Sequence, residues 1–334
     1  MTTTGSATLV DRLGTVLGVW AHPDDEAYLS GGLMALARDR GARVVCVTAT
    51  RGELGTEHPD VWPPDRLAAA RTYELAHCLA ILGVHEHHWL GHADGGCPAV
   101  PTAQAVARLR DIIECVRPDT VLTFGPDGIT GHPDHRTVSA WTTAAFEQAA
   151  PPGARLLYAT FAERRAARWA PLNERLGIFP PGLPVLTPER LLAVDVELDA
   201  GTADRKVRAL AAQRTQTAEL MAFVGLERFT AWVGDESFVD AAGTTRARTA
   251  AGTTSRAAGT TAANSATTSR TAGTTAANSA TTSRTAGTTA ANSATTSRAA
   301  GTTAAKTATT SRTAAGATHH DRHDGVETTT AAPA

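Results

Sequence analysis

The sequence predicts an α/β fold: a Rossmann-like, mostly parallel sheet with helices on both faces, followed by a low-complexity tail. Three observations predict it. Short apolar, β-branched runs alternate with amphipathic segments about every thirty residues, the pattern of βαβ units. The turns behind several of these runs are Gly-rich and carry imidazole or carboxylate groups, as the ligand-binding edges of open α/β sheets do. The composition then changes at Ala241, beyond which the chain is nearly all Ala, Thr, Ser, Gly and Asn punctuated by Arg.

Val16-Leu17-Gly18-Val19-Trp20 reads as a buried first strand, and Ala27 to about Arg40 has helical periodicity. A second strand spans Arg43 to Thr48, with Gly41 stopping the helix before it. The charged, Gly-rich turn Thr50 to Thr56 follows. Asp65 to Leu82 is an amphipathic helix on which Arg71 and Glu74 are spaced for an i, i+3 surface pair. His85 to Leu90 reads as a third strand with half-exposed histidines, and the loop behind it carries Asp94. Thr102 to Val116 is a helix, Thr120 to Phe124 a fourth strand, and Thr137 to Gln148 the next helix. Arg155 to Phe161 and Leu191 to Val196 are further strands. The charged, Pro-containing stretch between them, Glu163 to Pro188, reads as a lid or substrate-selecting insert. One helix from Thr202 to Thr217 follows, and Phe223, Phe229, Trp232 and Phe238 close the globular part.

Two of the edge loops hold the chemistry. Ala21-His22-Pro23-Asp24-Asp25-Glu26 sits between the first strand and its helix. One imidazole and two adjacent carboxylates are costly to desolvate unless something pairs them, and a cation does so. His22 and Asp25 can converge on one ion, because zinc takes nitrogen and oxygen donors. Pro23 biases His22 toward an extended backbone. Asp24, between the two, is left free as a general base. Taken alone, the loop reads equally well as an N-cap with acidic residues answering the helix dipole. The second cluster, Gly131-His132-Pro133-Asp134-His135, breaks the tie: it lies at the carboxyl end of the fourth strand and heads another helix. His135 completes a two-imidazole, one-carboxylate set with His22 and Asp25, and three protein ligands with an open position is the catalytic arrangement. His132 stands nearby without ligating, and Asp134 orients an imidazole through its second nitrogen.

The motifs A-H-P-D-D-E, Gly31-Gly32, V-T-A-T-R-G-E-L-G, R-x-x-E-L with L-G-V, and G-H-P-D-H resemble those of the LmbE/PIG-L family over about Thr15 to Gln216. That family comprises zinc-dependent de-N-acetylases of N-acetylglucosamine-containing substrates. The resemblance implies one zinc per chain on His22, Asp25 and His135, with Asp24 as base and His132 supporting the oxyanion or the leaving amine. It also implies that Glu53, Arg71 and Asp94 line a sugar pocket. Some members carry an aromatic residue two positions before the H-P-D-H motif, where this chain has Thr130.

Composition bounds the other readings. The tail beyond residue 240 carries a net charge of +6, which leaves −8 on the first 240 residues. An acidic body argues against a nucleic-acid-binding core. No apolar run approaches membrane-spanning length, and Met1 to Arg12 has no secretory-signal pattern. Cys46, Cys78, Cys97 and Cys115 form no C-x-x-C pair and read as reduced thiols of a cytoplasmic protein. Residues 257–312 are four copies of a 14-residue repeat too poor in apolar area to offset ordering entropy, so the tail is expected to be disordered. The expected organisation is thus an extension over 1–14, a deacetylase domain over 15–240 and a tail over 241–334. The expected function is removal of an N-acetyl group from an amino sugar or its conjugate. The alternatives are an amidase of a thiol-conjugate pseudodisaccharide, a deacylase of a glycosylated secondary metabolite, and a scaffold acting through the repeats.

Overall fold

The computed structural model of the chain describes residues 10–243. Residues 1–9 of the expected amino-terminal extension and residues 244–334 of the tail, with its expected disorder, fall outside the described residues, as does the unit into which residues 260–334 are grouped. The core already begins at the first described positions, where Val10 and Leu13 are buried.

The central layer is a seven-stranded sheet in the order β3-β2-β1-β4-β5-β9-β8. Its strands are β1 (Val16–Trp20), β2 (Val44–Thr50), β3 (Glu86–His92), β4 (Thr120–Phe124), β5 (Arg155–Ala159), β8 (Val194–Glu197) and β9 (Asp235–Asp240). Strands β1 to β5 are mutually parallel, and β9 runs antiparallel between β5 and β8. Every residue of β1, β2 and β4 is buried, which explains their continuous rather than alternating apolar runs. A two-stranded sheet pairs β6 (Phe161–Ala162) with β7 (Leu186–Thr187).

The helices are α1 (Asp25–Asp39), α2 (Pro64–Leu82), α3 (Thr102–Val116), α4 (Pro133–Ala149), α5 (Glu163–Leu176), α6 (Ala200–Ala212), α7 (Arg214–Val224) and α8 (Leu226–Trp232). The chain leaves β1 toward β2 and β3, then returns across the sheet to β4 and β5. Right-handed crossovers therefore put α1 and α2 on one face and α3 and α4 on the other. The winding reverses between β1 and β4, which are hydrogen-bonded neighbours with Val16 opposite Thr120. Their carboxyl ends form the switch point where ligands of such sheets bind.

Two expectations change. The helix expected over 202–217 is two helices meeting at Gln213, whose side chain turns inward to donate to Glu26 Oε1 at 2.6 Å. The new helix start is held by Glu74, which accepts from Thr215 N at 3.0 Å and Thr215 Oγ1 at 2.6 Å. The stretch expected merely to close the domain instead supplies α8 and the inserted strand β9. Asp-Glu-Ser-Phe-Val-Asp lacks the alternation of a strand, yet Asp235 through Val239 are buried.

The reason is a fully buried ion pair. Lys206 Nζ lies 2.7 Å from Glu236 Oε1, and both residues are at most 1% exposed. The same carboxylate accepts the N–H groups of Gly32 and Leu33, each at 2.7 Å, while Lys206 also donates to the Tyr28 carbonyl at 2.9 Å. The pair thus reaches into α1 itself, one turn beyond the His22–Glu26 loop. A side chain at Gly32 would collide with Leu198, whose methyl carbons would lie 2.5 Å from its Cβ. Removing one partner from a buried, hydrogen-bonded pair strands the other charge, so Glu236→Ala should cost about 3–5 kcal/mol. A urea unfolding free energy within about 0.5 kcal/mol of the parent's would contradict that assignment.

Candidate active site

The two H-P-D clusters meet. His22 leaves the end of β1, and His135 lies in the first turn of α4, behind β4. His22 Nδ1 is 3.1 Å from His135 Nε2. The Asp25 carboxylate completes the triangle, with one oxygen 3.4 Å from His135 Nε2 and the other 3.5 Å from His22 Nδ1. Donors bonded tetrahedrally to zinc at its usual bond lengths sit about 3.3 Å apart, so these separations match.

The second nitrogen of each ring has its own partner. His135 Nδ1 donates to the Gly128 carbonyl at 3.0 Å, and the ring stacks on Phe124 with centroids 4.2 Å apart. Its Nε2 therefore presents a lone pair. His22 Nε2 donates to Asp94 Oδ1 at 3.1 Å and Asp134 Oδ2 at 3.2 Å. Burial works to keep His22 neutral, but hydrogen bonds to Asp134, Asp25 and Asp94 outweigh it and raise its proton affinity well above an ordinary histidine's. Burial lowers that of His135. Burial would raise Asp25, yet His135 and His22 hold its carboxyl down to about 2. The proton is thus favoured on His22 beside an ionised Asp25, and a divalent cation bound between His22, His135 and Asp25 would displace it. On donor type, spacing and orientation the three residues fit such an ion.

The other carboxylates near His22 are committed elsewhere. Among the described residues, two other sets of donors gather within 4.8 Å: His22 with His132 and His135, and His22 with Asp94 and Asp134. Asp134, however, accepts the backbone N–H groups of Gly95 at 2.8 Å and Cys97 at 3.1 Å, and Asp94 accepts that of Leu54 at 3.0 Å. They orient the imidazole and raise its basicity, as carboxylates behind metal-bound histidines do.

Asp24 occupies the N-cap position of α1 but makes no side-chain cap. Its φ of 106° is rare for a residue with a side chain, and it turns the carboxylate away from its own helix toward a cavity shared with Asp25 and His135. Burial pushes that carboxyl up to about 7 against the pull of Arg71. The backbone strain is held by Glu26, a motif residue to which sequence reasoning assigned only a dipole role. Glu26 is fully buried, and it accepts from Asp24 N at 2.9 Å and from Gln213 and the Cys78 thiol.

Arg71 is not half of a surface pair with Glu74, because its guanidinium is buried between the turns behind β1 and β2. It donates to the Gly52 carbonyl at 2.7 Å and to the Pro23 carbonyl, and approaches Asp24 Oδ2 at 3.3 Å. Gly52 has φ 64°, and any side chain there would overlap the guanidinium. Glu53 joins two edge loops by accepting Asp94 N at 2.9 Å. His132 caps α4: its Nδ1 accepts from Asp134 N at 3.2 Å, which leaves the ring proton on Nε2. Its ring stands edge-on to His22 at 4.9 Å. Thr130 lines the cavity.

The class of protein follows: an α/β sheet whose switch point could hold a divalent cation, with the Asp24 carboxylate alongside. A family model described as PIG-L, GlcNAc-PI de-N-acetylase, matches residues 17–146. A 1D-myo-inositol 2-acetamido-2-deoxy-alpha-D-glucopyranoside deacetylase of Saccharomonospora viridis is 34% identical over 230 residues, covering 60% of this chain and 84% of the relative. One of the same name from Kineococcus radiotolerans is 36% identical over 174 residues, covering 44% of this chain and 48% of the relative. The match therefore spans most of one relative and about half the length of the other. Among solved structures, the N,N'-diacetylchitobiose deacetylase of Pyrococcus horikoshii shares the fold with a TM-score of 0.51 at 20% identity, covering 71% of this chain and 86% of that one. The chain belongs to the PIG-L family, also called LmbE-like.

Because Arg71 ties loops rather than sitting in solvent, Arg71→Ala should destabilise the protein by roughly 3 kcal/mol. Urea unfolding measures it, and a change below about 0.5 kcal/mol would remove the structural role.

Proposed function

We propose that this chain is a zinc-dependent de-N-acylase that removes the acetyl or related N-acyl group of an N-acetylglucosamine-type sugar or conjugate. The observation that carries this reading is the convergence of His22 Nδ1, His135 Nε2 and the Asp25 carboxylate within 3.5 Å of one another, with Asp24 left beside them. The names of the relatives support the substrate class. The domain doing this work is residues 15–240, with the tail dispensable. No helix among the described residues is long and apolar enough to cross a membrane. Four unpaired cysteines favour a reducing compartment, the cytoplasm.

Zinc on these three residues, one ion per chain, would activate water and polarise the amide oxygen. Asp24 faces the same cavity and takes the proton of the attacking water; Arg71 holds one of its oxygens so that the other is aimed. His132, with its proton on Nε2, donates a hydrogen bond to the amide oxygen as charge develops there. Asp24 then returns its proton to the departing amine. Asp94 and Asp134 hold His22 in the tautomer that presents Nδ1. Glu53, Asp94 and the loops that Arg71 secures form the polar edge that receives the sugar.

Asp24→Ala should retain zinc and lose turnover by about 10²–10⁴-fold, whereas His135→Ala should lose the metal. Metal content and acetate release of the purified variants read both, and an active Asp24→Ala protein would refute the base. A chain ending after residue 243 should release acetate as fast as the full chain; a collapse of activity would instead favour the scaffold reading of the repeats.

A further inference from the structure

Beside the cation centre lies a cavity of about 290 Å³ that reaches two of its three residues, Asp25 and His135, together with Asp24. Beyond them its walls are apolar: Phe124, Ile129, Phe161, Phe179, Leu220 and Trp232. The insert after β6 contributes Phe179, with Ile178 beside it, so the stretch expected to select substrate does wall this space.

Apart from Asp24, Asp25 and His135, the polar side chains in the lining are few: Tyr28, Thr130 and Arg165. Arg165 is buried, donates to the Trp232 carbonyl at 3.2 Å and lies over the Phe161 ring at 4.5 Å, with Asp235 and Glu236 opposing its charge. Thr130 Oγ1 turns toward His135 Nδ1 at 3.4 Å. A sugar placed here would bury hydroxyl groups without enough partners, which is costly. Hydrocarbon would displace little that water or polar groups need.

Topology separates this space from the polar loops. Glu53 and Asp94 lie behind β2 and β3, on one side of the β1–β4 switch point. The cavity takes its walls from β4, β6, the insert, α7 and α8, on the other side, and from Tyr28 and Leu29 of α1. An amide held at the switch point therefore directs its two substituents to chemically different places.

Resting on the de-N-acylase reading, we infer that this cavity is an acyl-chain subsite and that the preferred substrates carry an N-acyl group longer than acetyl. The sugar lies toward the β2 and β3 loops, and the hydrocarbon of the acyl group fills the cavity. Two carbons of an acetyl group would leave most of it unfilled.

The test is kcat/KM of the zinc-loaded full chain on N-acetyl, N-butanoyl, N-hexanoyl and N-octanoyl glucosamine. It should rise about fourfold per added methylene before levelling off. Ile178→Trp and Leu220→Trp should each lower the octanoyl-to-acetyl ratio. Rates that stay flat or fall with acyl length would overturn the subsite. So would a gain conferred by an octyl aglycone on N-acetylglucosamine in place of the acyl chain. Calorimetric titration with acetate, butanoate, hexanoate and octanoate reads the cavity without turnover. Tightening along that series with no sugar hydrolysed would sink the amino-sugar reading and leave the subsite standing; affinities independent of length would sink the subsite.

Discussion

Two imidazole nitrogens and a carboxylate face one another at 3.1 to 3.5 Å in a buried space, an arrangement that could hold a cation between them. Much of the surrounding structure serves that arrangement. The outer nitrogens are tied down by Gly128, Asp94 and Asp134, so that the inner ones point at a common place. Asp134 can be a fully buried carboxylate because two loop N–H groups and His22 share its charge. The strained backbone of Asp24 is fixed from three directions, by Glu26, by Gln213 behind Glu26, and by Arg71.

The sheet makes this economical. Because β1 and β4 are adjacent only through the reversal of winding, residues 113 apart in sequence come into contact without a long connection. The same reversal divides the neighbourhood of the centre into a charged side behind β2 and β3 and an apolar side behind β4 and β6. The Lys206–Glu236 pair extends the design away from the site. It anchors α1 to β9, and α1 is the helix whose first turn carries Asp25.

What was legible in the sequence was local. The alternation of apolar runs and helical segments gave the helices at 102–116 and the strand at 120–124 with their bounds, and both H-P-D clusters announced themselves by donor type and spacing. What stayed hidden was whatever depends on a partner far along the chain. Strand β9 is acidic because Glu236 answers Lys206 and the α1 backbone, and no periodicity encodes that. Arg71 looked like a surface residue because Glu74 is three positions on, yet its three acceptors come from the β1 and β2 turns. The break at Gln213 follows from a hydrogen bond to Glu26. The apolar cavity is assembled from α1, β4, β6, the insert, α7 and α8, each contributing one or two apolar side chains, so no single stretch of sequence shows it.

The central claim is most directly tested by anomalous diffraction at the zinc edge from crystals of the metal-loaded protein. The account predicts one peak per chain, about 2.0–2.2 Å from His22 Nδ1, His135 Nε2 and a carboxylate oxygen of Asp25, with Asp24 outside bonding distance. A peak lodged instead among His22, Asp94 and Asp134, or one bound by Asp24 with His135 standing free, would contradict it.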